Sequence, residues 1–151
     1  MNFMGAMIPM FEPVFIDTWG WIAMGYRKEP RHKEVKELYQ SLRARHIPVY
    51  TSDYILDEVI TLLFRRESFK EAVQFFQAIL DSANQGYLSL VRITPEYFAE
   101  AWDLRRRFTD KPLISFTDLS SIVVMRDLQI MQVLTEDEHF LKVGMGFQLL
   151  P

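Results

Sequence analysis

The feature of this sequence that most restricts its fold is a repeated switch between two hydrophobic periods. Short continuous apolar runs, such as residues 14–16, are typical of buried β-strands. Between these runs, apolar residues recur every three or four positions, as at Trp19, Ile22 and Tyr26, which predicts amphipathic helices. Strands that alternate with helices predict a three-layer α/β/α sandwich around a mostly parallel central sheet.

The same reading assigns the individual elements. Strands are predicted at residues 14–16, 47–50, 87–93, 130–135 and 147–149, and the segments between them carry helical stripes. A loop over residues 109–116 leads into a helix whose first turn contains Asp118 and whose N-cap is predicted at Thr117, because a side-chain hydroxyl can accept a hydrogen bond from the open first turn.

Composition limits what such a fold can do. The 151 residues suit one domain, which we place at residues 13–151 behind an apolar N-terminal extension, residues 1–12. Cysteine is absent, which excludes disulfides, thiolate zinc sites and a cysteine nucleophile, and fits an expected cytoplasmic location. No apolar run approaches the ~20 residues that cross a bilayer, so no membrane partner is expected.

Four acidic residues are predicted to gather at one edge of the sheet. Asp17 and Asp137 directly follow predicted strands, Asp118 lies at the start of a helix, and Glu58 lies on the helix after the second strand. The carboxyl ends of parallel strands are where α/β proteins collect their active groups. Singly, each acid is better explained as a capping, turn or solvated residue.

Electrostatics favours a joint role. Two carboxylates ~5 Å apart repel by about 3 kcal/mol at an effective dielectric of 20, so four near one point need a cation or retained protons. Oxygen ligands without cysteine or paired histidines favour Mg²⁺ or Mn²⁺ over zinc. Such ions bind phosphate oxygens, which points to phosphoryl-transfer hydrolysis.

The sequence around these acids resembles the PIN-domain nucleases, especially the small prokaryotic branch that includes VapC-type toxins. The resemblance spans residues 13–151 and depends on four segments: residues 14–18 (Val-Phe-Ile-Asp-Thr), Thr51-Ser52 with Glu58, residues 115–118 (Ser-Phe-Thr-Asp), and residues 134–140 (Leu-Thr-Glu-Asp-Glu-His-Phe). Trp19 departs from the pattern, since relatives more often carry a small or polar residue there, and this predicts a pocket mouth that is either narrower or differently lined.

The resemblance implies a metal-dependent endoribonuclease that uses Mg²⁺ or Mn²⁺, is often dimeric, and is held in check as a toxin by a small antitoxin protein. By position, Asp17, Glu58, Asp118 and Asp137 match the family's acidic metal-binding and catalytic residues. Thr117 matches the small hydroxyl residue that supports the third acid. A PIN fold that binds RNA or protein without cutting, and a hydrolase acting on DNA or small phosphates, remain alternatives.

Basic residues form local clusters in a chain whose formal net charge is −3. The clusters considered as a track for the RNA backbone include the pair Arg65-Arg66, and the main candidates are Arg27, Lys28 and Arg31, and Arg105, Arg106 and Arg107. A solvated helix face is the better explanation for any single one of these residues, whereas the clusters taken together fit either role equally well. The histidines, including His139, lack metal-pair spacing and are expected to have surface or structural roles.

Overall fold

The computed structural model describes residues 12–151, so the predicted extension lies outside the described residues except for Glu12. The strands are β1 (Val14–Ile16), β2 (Val49–Ser52), β3 (Ser89–Val91), β4 (Gln132–Leu134) and β5 (Gln148–Leu150). The helices are α1 (Thr18–Gly25), α2 (His32–Ala44), α3 (Asp53–Arg66), α4 (Phe69–Asn84), α5 (Pro95–Arg107), α6 (Phe116–Leu128) and α7 (His139–Lys142). None of the described helices combines the length and apolarity needed to cross a membrane.

The five strands form one sheet in the order β3-β2-β1-β4-β5, and every neighbouring pair is parallel. From β1, the chain continues outward to β2 and then to β3 on one side of the sheet. It then crosses to the other side of β1, where it forms β4 and β5. Because such crossovers are right-handed, the helices cover both faces of the sheet. The predicted α/β/α sandwich is therefore confirmed.

The central strand β1 shows why its sequence is continuously apolar. All three of its residues are buried, since β2 and β4 flank it and helices cover both faces. Helix α1 then packs closely against the strand ends. A Cβ atom at Gly20 would lie 2.9 Å from both Ile16 Cγ2 and the Leu134 carbonyl oxygen, so only glycine permits this approach.

All the predicted strands after β1 differ from the observed ones by one or two residues at their ends. Two of the differences between predicted and observed boundaries have a clear cause. Strand β2 begins at Val49 rather than Ile47, because the Ile47 N–H still donates to the Leu42 carbonyl and closes helix α2. Helix α6 is capped by Ser115 rather than Thr117: the Ser115 hydroxyl accepts from the Asp118 N–H at 3.0 Å. The second shift moves the supporting hydroxyl that the sequence analysis placed at Thr117.

Candidate functional site

A cleft of about 550 Å³ opens beside the carboxyl ends of β1 and β4. All four acids predicted from the sequence line it. Its lining residues are Asp17, Thr18, Trp19, Ile22, Glu58, Leu62, Arg66, Leu113, Ser115, Asp118, Glu136, Asp137 and His139. The topology therefore brings together carboxylates that are separated by as many as 120 positions in the chain.

Asp17 is the most deeply buried of the four acids, with 5% of its surface exposed. It is the first residue after β1, and its Oδ2 accepts a hydrogen bond from Thr135 Oγ1 at 2.8 Å. Burial, reinforced by the charge of Asp118, raises the pKa of Asp17 to about 7, despite the opposing effect of the Thr135 hydrogen bond. Near neutral pH this carboxyl is therefore partly protonated when no cation is bound.

Asp118 lies in the first turn of α6 and is 8% exposed. Its pKa is also raised to about 7, first by burial and then by the nearby Asp137, with a further contribution from Glu58. The hydrogen bond with Ser115 acts in the opposite direction. Two neighbouring buried acids with raised pKa values are typical of a functional site, and a bound cation would favour the ionised form of both.

Glu58 approaches from α3 and is half-buried. Its Oε1 accepts a hydrogen bond from Thr18 Oγ1 at 2.7 Å, which joins α3 to the start of α1. This contact fixes the carboxylate at the wall of the cleft. Glu58 is also close enough to Asp118 to raise the pKa of that residue.

Asp137 and His139 complete the acidic end of the cleft. The Asp137 Oδ1 accepts from the His139 backbone N–H at 2.9 Å. The His139 Nδ1 lies 3.1 Å from Asp137 Oδ1 and 3.5 Å from Asp118 Oδ2. It is buried, and no described residue gives it a hydrogen bond of acceptable geometry. A surface role for His139 is therefore wrong; the spacing Asp137-x-His139 was the available sequence signal.

These donors fit a divalent cation. Asp118, Asp137 and His139 each offer one ligand atom, and the three atoms lie within 4.8 Å of one another. An ion at this point would neutralise carboxylates that are otherwise driven toward protonation, and it would give the unpaired His139 Nδ1 a partner. Asp17 and Glu58 line the same cleft just outside this tight group.

Thr135 holds two of the acids in position, a role that the sequence analysis did not assign. Its hydroxyl donates to Asp17 Oδ2 and accepts from the Asp137 backbone N–H at 3.0 Å. The side chain is 1% exposed, so no water replaces either bond easily. The hydroxyl therefore sets the relative placement of the acids that follow β1 and β4.

We expect Thr135→Val to weaken the binding of Mn²⁺ by about 10–100-fold, the usual cost of losing a residue that orients a metal site. Thr135→Ser keeps the hydroxyl and should retain most of the affinity. The measurement is Mn²⁺ titration of both variants, with circular dichroism to verify folding. Equal affinities of the two folded variants would show that the hydroxyl does not position the acids.

The hydroxyl beside Asp118 belongs to Ser115 and not to Thr117. Ser115 lines the cleft, whereas Thr117 faces a separate recess with Asp53 and Tyr54. The supporting contact predicted for Thr117 is therefore made by a residue two positions earlier. The family resemblance gave the correct segment, and the helix start decided which of its hydroxyls faces the acid.

The basic cluster on α5 has contacts of its own. The Arg105 guanidinium donates to the carbonyls of Ile114, Lys111 and Phe108 at 2.7, 2.8 and 2.9 Å, so it holds the loop before α6. Arg106 and Arg107 both pair with Asp103 on the exposed face of α5. None of the three arginines lines the cleft.

The other basic cluster lies nearer the cleft. Arg31 pairs with Glu34, and its guanidinium lies 5.3 Å from the ring centroid of Trp19, which lines the cleft as predicted. Arg27 pairs with Glu71, and Lys28 is exposed. RNA contacts by these residues stay a prediction, with Arg31 the best placed of them.

The chain is similar to known proteins over most of its length. Residues 14–145 match the sequence model of the family described as PIN domain. In two strains of Mycobacterium tuberculosis, the 23S rRNA-specific endonuclease VapC20 is 30% identical over 131 residues, which is 87% of this chain and 94% of that protein. The crystal structure of VapC20, described as a sarcin–ricin loop cleaving toxin, gives a TM-score of 0.74 at 31% identity over 87% of this chain and 95% of that one.

A more distant structure has the same fold. VapBC2 from Rickettsia felis, solved with a DNA fragment from its promoter, gives a TM-score of 0.68 at 12% identity, covering 91% of this chain and 97% of that one. At this identity the likeness concerns the fold alone. The agreement of a family match, a curated relative and two structures nevertheless extends over nearly all of the described residues.

Proposed function

The chain belongs to the PIN-domain family, and from this we propose that it is a divalent-metal-dependent endoribonuclease whose active site is the acidic cleft. The observation that carries the proposal is the convergence of Asp17, Glu58, Asp118 and Asp137 in one cleft, with the pKa values of Asp17 and Asp118 raised to about 7. Acids that served only as caps would be expected to lie apart at the surface and to stay ionised.

We further propose that the substrate is ribosomal RNA. The support is the relative VapC20, a 23S rRNA-specific endonuclease that this chain matches over 87% of its length. The chain would then act as the toxin of a toxin–antitoxin pair in the cytoplasm. The complete set of acids favours a cutting enzyme over a PIN fold that only binds RNA or protein.

Asp118, Asp137 and His139 are the residues proposed to hold the ion, which we take to be Mg²⁺ or Mn²⁺ from the carboxylate donors. When bound, a divalent ion supplies positive charge that polarises a phosphodiester and a water molecule. Asp17 and Glu58 lie beside the tight group and are proposed to orient the attacking water and to complete the negative wall.

Without the ion, Asp17 has a pKa of about 7 and accepts a hydrogen bond from Thr135. Its carboxyl therefore releases a proton when the ion is bound near neutral pH, and the carboxylate that results can orient the attacking water. The rest of the cleft offers surface to the strand, since Leu113, Leu62 and Trp19 also line it. We propose that the RNA enters as an unpaired segment or a loop, whose bases can pack on these side chains.

A homodimer and a small antitoxin partner also belong to this proposal. Large apolar side chains are exposed on α4 and α5: Phe69 is 75% exposed, Phe98 49% and Trp102 54%. Apolar side chains exposed in this way favour contacts with other proteins. We propose these helices as surfaces that a second copy or an antitoxin covers.

The test is cleavage of purified bacterial ribosomes, followed by sequencing of the newly formed 5′ ends of the RNA. We expect a dominant 23S cut with Mg²⁺ or Mn²⁺, and no cut in excess EDTA or with Asp118→Asn. Binding of the RNA without any cut would support the silent binding module. A cut that persists in EDTA would contradict the metal-dependent mechanism.

A further inference from the structure

The cleft has an unequal charge distribution that the acidic centre does not explain. Apart from His139, Arg66 is the one basic residue among the described residues that line it. Five carboxylates line the same cleft, namely those of Asp17, Glu58, Asp118, Glu136 and Asp137. The cleft therefore has an acidic region and a single positive charge.

Arg66 is not used by the protein to neutralise those acids. Within the part of the chain that the structure describes, no carboxylate lies within ion-pair distance of its guanidinium. Its guanidinium lies instead 5.9 Å from the ring centroid of Tyr26. The aromatic ring steadies the side chain, and the positive charge stays available to a ligand.

The spacing along α3 sets the distance between the two regions. Glu58 and Arg66 are eight residues apart on one helix, which places their backbones about 12 Å apart at 1.5 Å per residue. Leu62, midway between them on the same helix, lines the cleft with apolar surface. Since a stacked strand advances about 3.4 Å per nucleotide, the groove is long enough for more than one nucleotide.

We infer that Arg66 binds a backbone phosphate one to three nucleotides away from the bond that is cut, so that the RNA strand lies along the groove between α1 and α3. This rests on the proposed ribonuclease function. A guanidinium matches phosphate geometry through paired N–H donors, and a phosphate is the anion that an RNA strand delivers at regular steps from the acidic centre. The apolar surface of Leu62 suits the sugar and base between the two phosphates.

The chain offers a matched control. Arg65 precedes Arg66 on α3, carries the same charge and is exposed, but does not line the cleft. On an RNA hairpin that carries the ribosomal cleavage site, we expect Arg66→Gln to lower kcat/KM about tenfold or more, mainly through KM. Arg65→Gln should stay within about twofold of wild type, and Arg66→Lys should recover part of the loss.

The decisive measurement replaces single phosphates of the hairpin by uncharged methylphosphonates, at the three positions on each side of the cut. One replacement should weaken cleavage by wild type and cause no further loss in Arg66→Gln, because both changes remove the same contact. Arg66→Gln should also reduce the slope of log affinity against log salt by about 0.7, whereas Mn²⁺ binding by calorimetry should not change.

The outcomes separate this inference from the function that it extends. If wild type cleaves the hairpin and Arg66→Gln behaves like Arg65→Gln, the inference is wrong and the ribonuclease function stands. If Arg66→Gln is coupled to no phosphate and weakens only the binding of a protein partner, Arg66 serves that partner and the inference is again wrong. A wild type that neither binds nor cleaves RNA overturns both.

Discussion

Asp118→Asn is expected to reduce RNA cleavage by about 10³-fold or more while the protein stays folded. Asp118 contributes to the one tight group of ligand atoms in the described residues, together with Asp137 and His139. A bound metal ion contributes several kcal/mol to the stabilisation of charge in the transition state, and each 1.36 kcal/mol corresponds to a factor of ten in rate. Loss of one carboxylate ligand therefore removes most of the catalysis.

Glu138→Gln is the matched control for this prediction. Glu138 is an exposed acid beside Asp137 and does not line the cleft, so its removal alters net charge equally and leaves the site intact. Single-turnover cleavage rates at saturating Mg²⁺ or Mn²⁺ compare the two variants. Asp118→Asn with a rate close to that of Glu138→Gln would show that the cleft is not where RNA is cut.

Asp17→Asn is expected to stabilise the metal-free protein at neutral pH, by on the order of 2 to 4 kcal/mol. The pKa of Asp17 is about 7 in the folded protein and about 3.9 in the unfolded chain, so the folded state binds the extra proton between these values. The contribution of this raised pKa to the free energy of unfolding is complete below about pH 4, where Asp17 is protonated in both states. It falls as the pH rises to about 7 and is absent above that. Asparagine has no charge to desolvate and keeps an acceptor for Thr135.

The measurement is chemical denaturation in EDTA from about pH 4 to about pH 8. Wild type should lose stability across this range, and Asp17→Asn should show a shallower decline, with the remaining slope due to Asp118. Asp57→Asn, which removes an exposed acid on α3, should follow wild type. A wild-type profile that matches Asp17→Asn would mean that Asp17 is ionised at no cost in the folded protein.

The sequence predicted the fold and the four acids because both depend on local patterns. The run at residues 14–16 has to be buried on both faces, so it predicts a central parallel strand and places Asp17 at its carboxyl end. The position of β2 was two residues wrong because Ile47 completes the end of α2, a contact that hydrophobic periodicity does not contain. Such boundaries depend on hydrogen bonds between elements.

Contacts between distant segments account for the other differences. His139 meets Asp118 only after the loop before α7 folds against α6, so the spacing Asp137-x-His139 could indicate that these two residues act together but not that Asp118 shares their site. Arg105 is part of a basic run in the sequence, whereas in the structure it binds three carbonyls of a loop. Arg66 forms a basic pair with Arg65 in the sequence, and only the shape of the cleft distinguishes one arginine from the other.

The measurement that tests the central claim most directly is titration of Mn²⁺ by isothermal calorimetry, into wild type and into the double variant Asp17→Asn with Asp118→Asn. Wild type should bind the ion with proton release that is large below about pH 7 and disappears well above it, because the buried acids give up protons to accept the ion. The double variant should bind none at this site and should remain folded. Equal Mn²⁺ binding by the two proteins would contradict the assignment of the cleft as a metal-dependent active site.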